Sequence, residues 1–339
     1  MAGKTAGARA DRRAALFALI ALLIAASSVL YVYSRTYAKS SRLGVEMTGE
    51  AFCGIMGRAL PALAGMAAAS VMISMMSLVF QTMTETRVLT PSIIGFDSLF
   101  VGTQTFLVFA FGSSSAAFAN PYLNYAISSC VMILVSAAMY GFILRKSRNN
   151  LVFLLMFGLV ISGVLRNGSA YLQVIMSADD YYQVQAASNV TVNGMNAGIV
   201  RHAVPLMALI AAAMAARRRV YDVMSLGRDT AKSLGVHYDR EININLMLIA
   251  AGMSVTTALI GSLTFLGLLG VNIAREIFRT HRHLHLFIGS SMISALVLIS
   301  GQSAVELLEG AVPVTAVIDM IGCSYMFFLI LKENRVLYA

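Results

Sequence analysis

The chain is a succession of apolar segments, each long enough to cross a lipid bilayer, joined by short polar stretches. A hydrocarbon core of about 30 Å takes roughly 20 apolar residues in helical form. Such segments lie at 14–34, 59–80, 92–112, 122–144, 151–175, 196–215, 242–262, 284–304 and 311–331, with a shorter, glycine-interrupted one at 264–278. Lipid offers the backbone no hydrogen-bond partner, so spans of this kind form helices. The expected fold class is therefore all-α, a polytopic membrane bundle of about ten transmembrane helices forming one domain over 1–339. With 58% hydrophobic and 12% charged residues, a 339-residue chain has too little polar surface to coat a soluble protein. The first segment follows a basic stretch but is about as long as a full span and has no clear small-residue cleavage site, so it reads as a retained helix.

Positive charge in short loops stays on the cytoplasmic side. With ten spans and the amino end inside, the cytoplasmic segments hold 19 of the 25 Lys and Arg residues. Outer segments and span edges keep Arg35, Lys39, Arg42, Arg58, Arg166 and Arg201, while 176–195 carries Asp179 and Asp180 and no base. Both termini are then cytoplasmic, in a multi-pass protein of the cytoplasmic (inner) membrane. The net charge of +9 reflects this topology and contact with anionic lipid headgroups rather than a nucleic-acid partner. Cys53, Cys130 and Cys323 lie in or beside apolar spans without C-x-x-C spacing and read as packing residues.

Charged residues within spans are expensive and normally face a cavity or a partner. Asp97, Arg166 and Asp319 are the candidates, with Gln104 and Gln302 as neutral companions. They either line a translocation path or form a buried ion pair, Arg166 with Asp97 or Asp319. Gly261, Gly267 and Gly270 interrupt an apolar stretch beside Asn272 and Arg275, which suits either a broken helix that moves or close helix packing.

The longest cytoplasmic loop, about 216–241, alternates small, apolar and charged residues in a pattern suited to two short helices. Gly227 and Gly235 bracket Arg228 to Leu234, so one helix is expected to stop at Gly235. Leu226-Gly227, Ala231 and Leu234-Gly235 resemble the loop pattern of the type II ABC importer permeases that carry iron–siderophore complexes and cobalamin, the FecCD-type permeases. The resemblance continues through Pro61, Gln81, Pro91 and Gly95, then Gly261, Phe265, Gly267, Leu268, Arg275, His281, Arg282 and Pro313, covering about residue 55 to the end. The chain departs from the family at Val271-Asn272, where a Pro-His pair is usual, at Ala59 and Ala62, where arginines flank the proline, and at Thr86-Arg87 in place of Asn-Pro. FQTMTETRVLTPSIIGFDSL looks closest to permeases working as half of a heteromeric pair for catecholate siderophores.

The resemblance implies a type II ABC importer permease fold and a subunit moving ferric siderophores. Its partners would be an ABC ATPase dimer, a second permease subunit in a hetero- or homodimer, and an extracytoplasmic substrate-binding protein. It assigns Leu226, Gly227, Arg228, Ala231, Leu234 and Gly235 to ATPase coupling. It gives Arg58, loosely, to docking of the binding protein, while Asp97, Gln104, Arg166 and Asp319 are pathway candidates on their polarity within spans and not on the resemblance. No cofactor or resident metal is implied. Cobalamin or haem is the alternative cargo, and a secondary transporter without ATPase the alternative mechanism.

Enzyme readings fail on the residues. Gly3, Lys4 and Thr5 lack the strand and earlier glycine of a phosphate-binding loop, so ATP hydrolysis belongs to a separate subunit. His281, His283 and His285 alternate along a short loop with no carboxylate or thiolate cluster, which supports a metal site poorly.

Overall fold

A computed structural model describes residues 2–43, 49–147, 151–189, 192, 195–308 and 312–337. Among them run α1 (Ala2–Leu43), α2 (Gly49–Thr84), α3 (Phe96–Phe111), α4 (Ala116–Ala119), α5 (Pro121–Ser147), α6 (Leu151–Ile175) and α7 (Ala178–Ser188). There follow α8 (Ala197–Ala216), α9 (Arg218–Met224), α10 (Arg228–Ser233), α11 (Tyr238–Ile260), α12 (Leu266–Phe278), α13 (His283–Leu307) and α14 (Val314–Leu337). The described residues form no strand. The side chains of Cys53 and of the amino-terminal Lys4, Arg9 and Arg12 lie outside the described residues.

Seven helices are long and apolar enough to cross a membrane: α1, α2, α5, α6, α8, α11 and α13. Two shorter apolar helices, α3 and the first part of α14, and the 13-residue α12 coincide with the remaining expected segments, so among the described residues a helix stands at each of them, seven of full span length. The centre belongs to α2, which has 72% of its apolar window inside the protein, against 17% for α1 and 11% for α6. Around α2 pack α8, α11, α12 and α13, with α1 laid against α13 and α6 against α3. The outer faces of α1 and α6 leave Leu22, Val29, Val160, Val164 and Val174 exposed, as suits contact with lipid or another membrane helix.

Helices in lipid gain little from burying apolar surface and associate through close packing and interhelical hydrogen bonds. Both are visible here. A methyl group on Gly267 would meet Ser77 Cβ at 2.8 Å, and one on Gly270 would overlap Ser294 Oγ, so α12 lies directly on α2 and α13. Ser74 of α2 donates to Ser294 Oγ of α13 at 2.7 Å, and Ser294 donates to the Leu266 carbonyl at 3.3 Å, a hydrogen-bond chain through three helices. Between α3 and α6, Ser98 and Ser162 share a 2.7 Å hydrogen bond, and Ile94 fills the notch over Gly158.

Candidate functional site

Residues 81–87, 217–241 and 272–283 gather at one end of the bundle, and α9 and α10 form a knob there. Gly227, the N-cap of α10, has φ 95 and ψ 160, a region essentially reserved for glycine. Gly235 has φ 87 and terminates α10: its N–H donates to the Lys232 carbonyl at 3.0 Å and the Val236 N–H to the Ala231 carbonyl at 3.0 Å. That pair of bonds is a Schellman stop, which glycine favours because the left-handed conformation carries no Cβ penalty. The two short helices and the stop at Gly235 are as the loop sequence predicts.

Within the knob Ala231 is completely buried, whereas Leu226 and Leu234 are 58% and 61% exposed. The helix thus anchors by its small residue and presents two leucines outward. Arg228 and Lys232 both pair with Asp239, at 2.8 and 2.9 Å, and Arg217 pairs with Glu241. These carboxylates occupy the first turn of α11, where a helix favours negative charge, so the knob is tied to the start of α11.

Beneath the knob, Asp222 of α9 accepts the His283 backbone N–H at 2.7 Å and ring Nδ1–H at 2.8 Å. His283 Nε2 reaches Thr82 Oγ1 of α2 at 2.9 Å. Tyr221, fully buried, donates to Asn245 Oδ1 of α11 at 2.7 Å. The Arg87 carbonyl, after the end of α2, accepts from Gln81 at 3.1 Å and from Asn272 at 2.9 Å. Asn272, a departure from the resembling family, thereby ties α12 to the 85–90 turn. His283 is a structural link in this arrangement, and among the described residues no three metal-ligating side chains converge.

The second constellation lies at the break between α11 and α12. Gly261 ends α11 with φ 93 and ψ −173, and Ser262 to Thr264 run without helical bonding before α12 begins. Such backbone survives at membrane depth only when protein covers it or it lines a cavity. Asp97, in the first turn of α3, accepts from Thr264 Oγ1 at 2.8 Å and lies beside Ser262. Asp319 of α14 lies beside the backbone of Phe265, the N-cap of α12, at the end of a helix that favours a carboxylate. Gly322, one turn on, admits the Phe265 side chain: a Cβ there would meet Phe265 Cγ at 2.9 Å. One oxygen of each aspartate, Oδ1, is buried without a hydrogen-bond partner.

Arg166 is exposed on α6 and close enough to act electrostatically on Asp97, but among the described residues it forms an ion pair with neither aspartate. Of the two readings open for these charges, the closed ion pair is therefore absent. Gln104 stands apart, buried between α3 and α5, with bonds to Asn124 at 3.0 and 3.1 Å and to Ser128 at 3.0 Å. Gln302 is buried in α13 and donates to Glu306 at 3.4 Å. Arg58 is exposed on the early part of α2, toward the end opposite the knob. At that same end α7 is capped by Ser177, which accepts from the Asp180 N–H at 3.2 Å. Hydrogen bonds from Ser113 and Ser177 hold the Asp180 carboxyl below its ordinary value.

Asp222, Thr82 and Asn245 escape sequence reading because each depends on a partner far along the chain; 201 residues separate Thr82 from His283. Thr264 and Ser262 carry a signal, as hydroxyls beside Gly261 in an apolar run that also holds the glycines of α12.

Comparisons with known proteins agree with this architecture. The chain is 35% identical over 264 residues to the petrobactin import system permease protein YclO of Bacillus subtilis, covering 78% of this chain and 84% of that one. To the petrobactin import system permease protein FatC of Bacillus anthracis it is 29% identical over 322 residues, covering 95% and 89%. A solved metal-chelate type ABC transporter in an inward-facing conformation superposes with a TM-score of 0.78 at 17% identity, over 94% of this chain and 99% of that one. The sequence pattern of the FecCD transport family matches residues 15–332, nearly the whole bundle from α1 into α14, and the chain belongs to that family.

Proposed function

We propose that this protein is the membrane permease subunit of an ATP-driven importer whose cargo is a ferric siderophore, with ferric petrobactin the first cargo to test. The knob is the observation that carries the reading. Two exposed leucines flank a buried alanine on a helix bounded by two positive-φ glycines, a compact apolar projection suited to a groove in an ATPase. The cargo follows from the names of the two relatives at 35% and 29% identity.

In this reading the knob end is cytoplasmic, as are both termini, and Leu226, Gly227, Arg228, Ala231, Leu234 and Gly235 form the ATPase contact. Arg228 acts there through its bond to Asp239, which fixes α10 on α11. A second permease subunit completes the pathway, and a binding protein delivers cargo to the opposite end, where Arg58 offers a cation to an acidic partner. Asp97, Asp319 and Arg166 stand at the helix break where the path would narrow, Arg166 facing outward as an attraction for an anionic chelate. Gln104, apart from them, braces α3 against α5 along the same path. ATP binding and hydrolysis in the partner ATPases shift a bistable bundle between outward and inward openings.

The test is uptake of radiolabelled ferric petrobactin into cells carrying the permease with its partner subunits, with the ATPase active or inactivated. Uptake that requires the active ATPase is expected. Uptake indifferent to it would make the protein a secondary transporter, and uptake of cobalamin or haem in place of ferric chelates would reassign the cargo.

A further inference from the structure

Beyond the exposed contact surface, the knob has a buried root, and its contacts single out two side chains. Asp222 lies on α9, the first helix of the knob. Its carboxylate accepts both the backbone N–H and the ring N–H of His283, the first residue of α13. The first N–H groups of a helix have no partner within that helix, so a carboxylate from α9 completes the end of α13 and complements its dipole. A carboxylate only accepts, which makes Nδ1 the donor and turns Nε2 toward Thr82 of α2, 2.9 Å away. The His283 side chain is 3% exposed, so its end of each bond is shielded from water, while the Asp222 side chain, 38% exposed, reaches the surface of the knob. Phe287, one turn along α13, closes the site against the Tyr221 ring at 6.1 Å, edge to face.

The consequence is geometric. A displacement of α9 reaches the last turn of α2 and the first turn of α13 through one charge-assisted tether. Those are the most buried span and the helix packed on α1, α12 and α2. We propose that Asp222 and His283 are positioning residues that transmit motion of the ATPase-contacting knob to α2 and α13. This rests on the proposed role of the knob. Leu226 and Leu234 receive the motion at the surface, and the Asp222–His283–Thr82 link carries it into the bundle.

The test uses the assembled transporter, with permease pair, ATPases and binding protein, reconstituted in proteoliposomes, and reads ferric petrobactin transported per ATP hydrolysed. Loss of folded protein lowers both quantities together and leaves the ratio unchanged, whereas a broken link lowers the ratio. Asp222→Ala should reduce it roughly fivefold or more while the ATPases remain bound and hydrolyse ATP, the size of a typical coupling between sites. Asp222→Asn should hold it within about twofold, because both His283 donors bond the one oxygen Oδ1 and an amide oxygen, with two lone pairs, can accept both. Thr82→Val, which removes the far end of the link together with a bond to the Leu78 carbonyl of the same helix, should also lower the ratio and serves if Asp222→Ala does not assemble. An unchanged ratio in Asp222→Ala or Thr82→Val, or an equal fall in Asp222→Asn and Asp222→Ala, would overturn the proposal. A Leu226→Glu, Leu234→Glu variant separates the two readings. If the ATPases still co-purify with it, the knob is not their contact. If they are lost while Asp222→Ala leaves the ratio intact, the transmission role alone falls.

Discussion

Replacing Gly270 by alanine adds one methyl group where α12 touches α13, and the structure sets the size of the effect. The new carbon would overlap Ser294 Oγ and stand 3.0 Å from the Ser290 carbonyl, backbone that cannot swing aside. Overpacking of this kind costs about 1–3 kcal/mol. Displacing Ser294 Oγ also breaks its bonds to Ser74 and Leu266, and interhelical hydrogen bonds in membranes average about 0.6 kcal/mol each. The expected loss is therefore about 2–4 kcal/mol. Ser294→Ala alone forfeits only the two bonds, about 1 kcal/mol. The double variant loses those bonds too but removes the main obstruction, leaving the Ser290 carbonyl, so it should be more stable than Gly270→Ala alone. Reversible unfolding in mixed micelles titrated with SDS gives the four stabilities and the coupling between the two sites. Gly163→Ala on α6 is the control, since nothing lies within 4 Å of its added carbon. A Gly270→Ala protein as stable as wild type, or a Ser294→Ala loss adding in full to it, would refute the packing argument.

Gly235→Val forces a β-branched residue to φ 87, at a penalty of roughly 1–2 kcal/mol, and should unwind the end of α10. Uptake falls while membrane fractionation shows normal insertion; normal uptake removes the coupling assignment. Asn272→Leu leaves the Arg87 carbonyl with Gln81 alone, a loss of about 1 kcal/mol, and hydrogen exchange of residues 85–90 should quicken, whereas Asn272→Gln should retain part of the protection. Asp180 has a folded-state pKa below its unfolded value, so its contribution is present above the ordinary carboxylate range and fades as pH falls through the lower folded value. After correction for intrinsic exchange, protection of the Ser113 amide should therefore persist through mildly acid pH, and Asp180→Asn should abolish the acid dependence; an identical profile in the variant would show that Asp180 is not its source.

Length and hydropathy place ten helices because each apolar run must satisfy its backbone internally, and Gly235 announces a helix stop because few other residues take its conformation. The knob is legible for the same reason: its glycines and its spacing are local facts. Asp222, Thr82, Asn245 and Asn272 are not, because a hydrogen bond across 61, 201, 24 or 185 residues leaves no trace in spacing. The intramembrane aspartates show the middle case. Their cost in lipid marks Asp97 and Asp319 as special, yet nothing local tells that Asp97 meets the hydroxyl of Thr264 while Asp319 lies at the start of α12. Nor does local sequence reveal that Arg166 pairs with neither of them.

The seat of Phe265 against Gly322 limits how this transporter can move. With that ring in the glycine notch, α14 cannot roll or slide along α12 without first expelling the ring. The two helices are thereby keyed together, and the helical run from α11 is interrupted on the far side of that key, at Gly261, whose φ of 93 suits glycine.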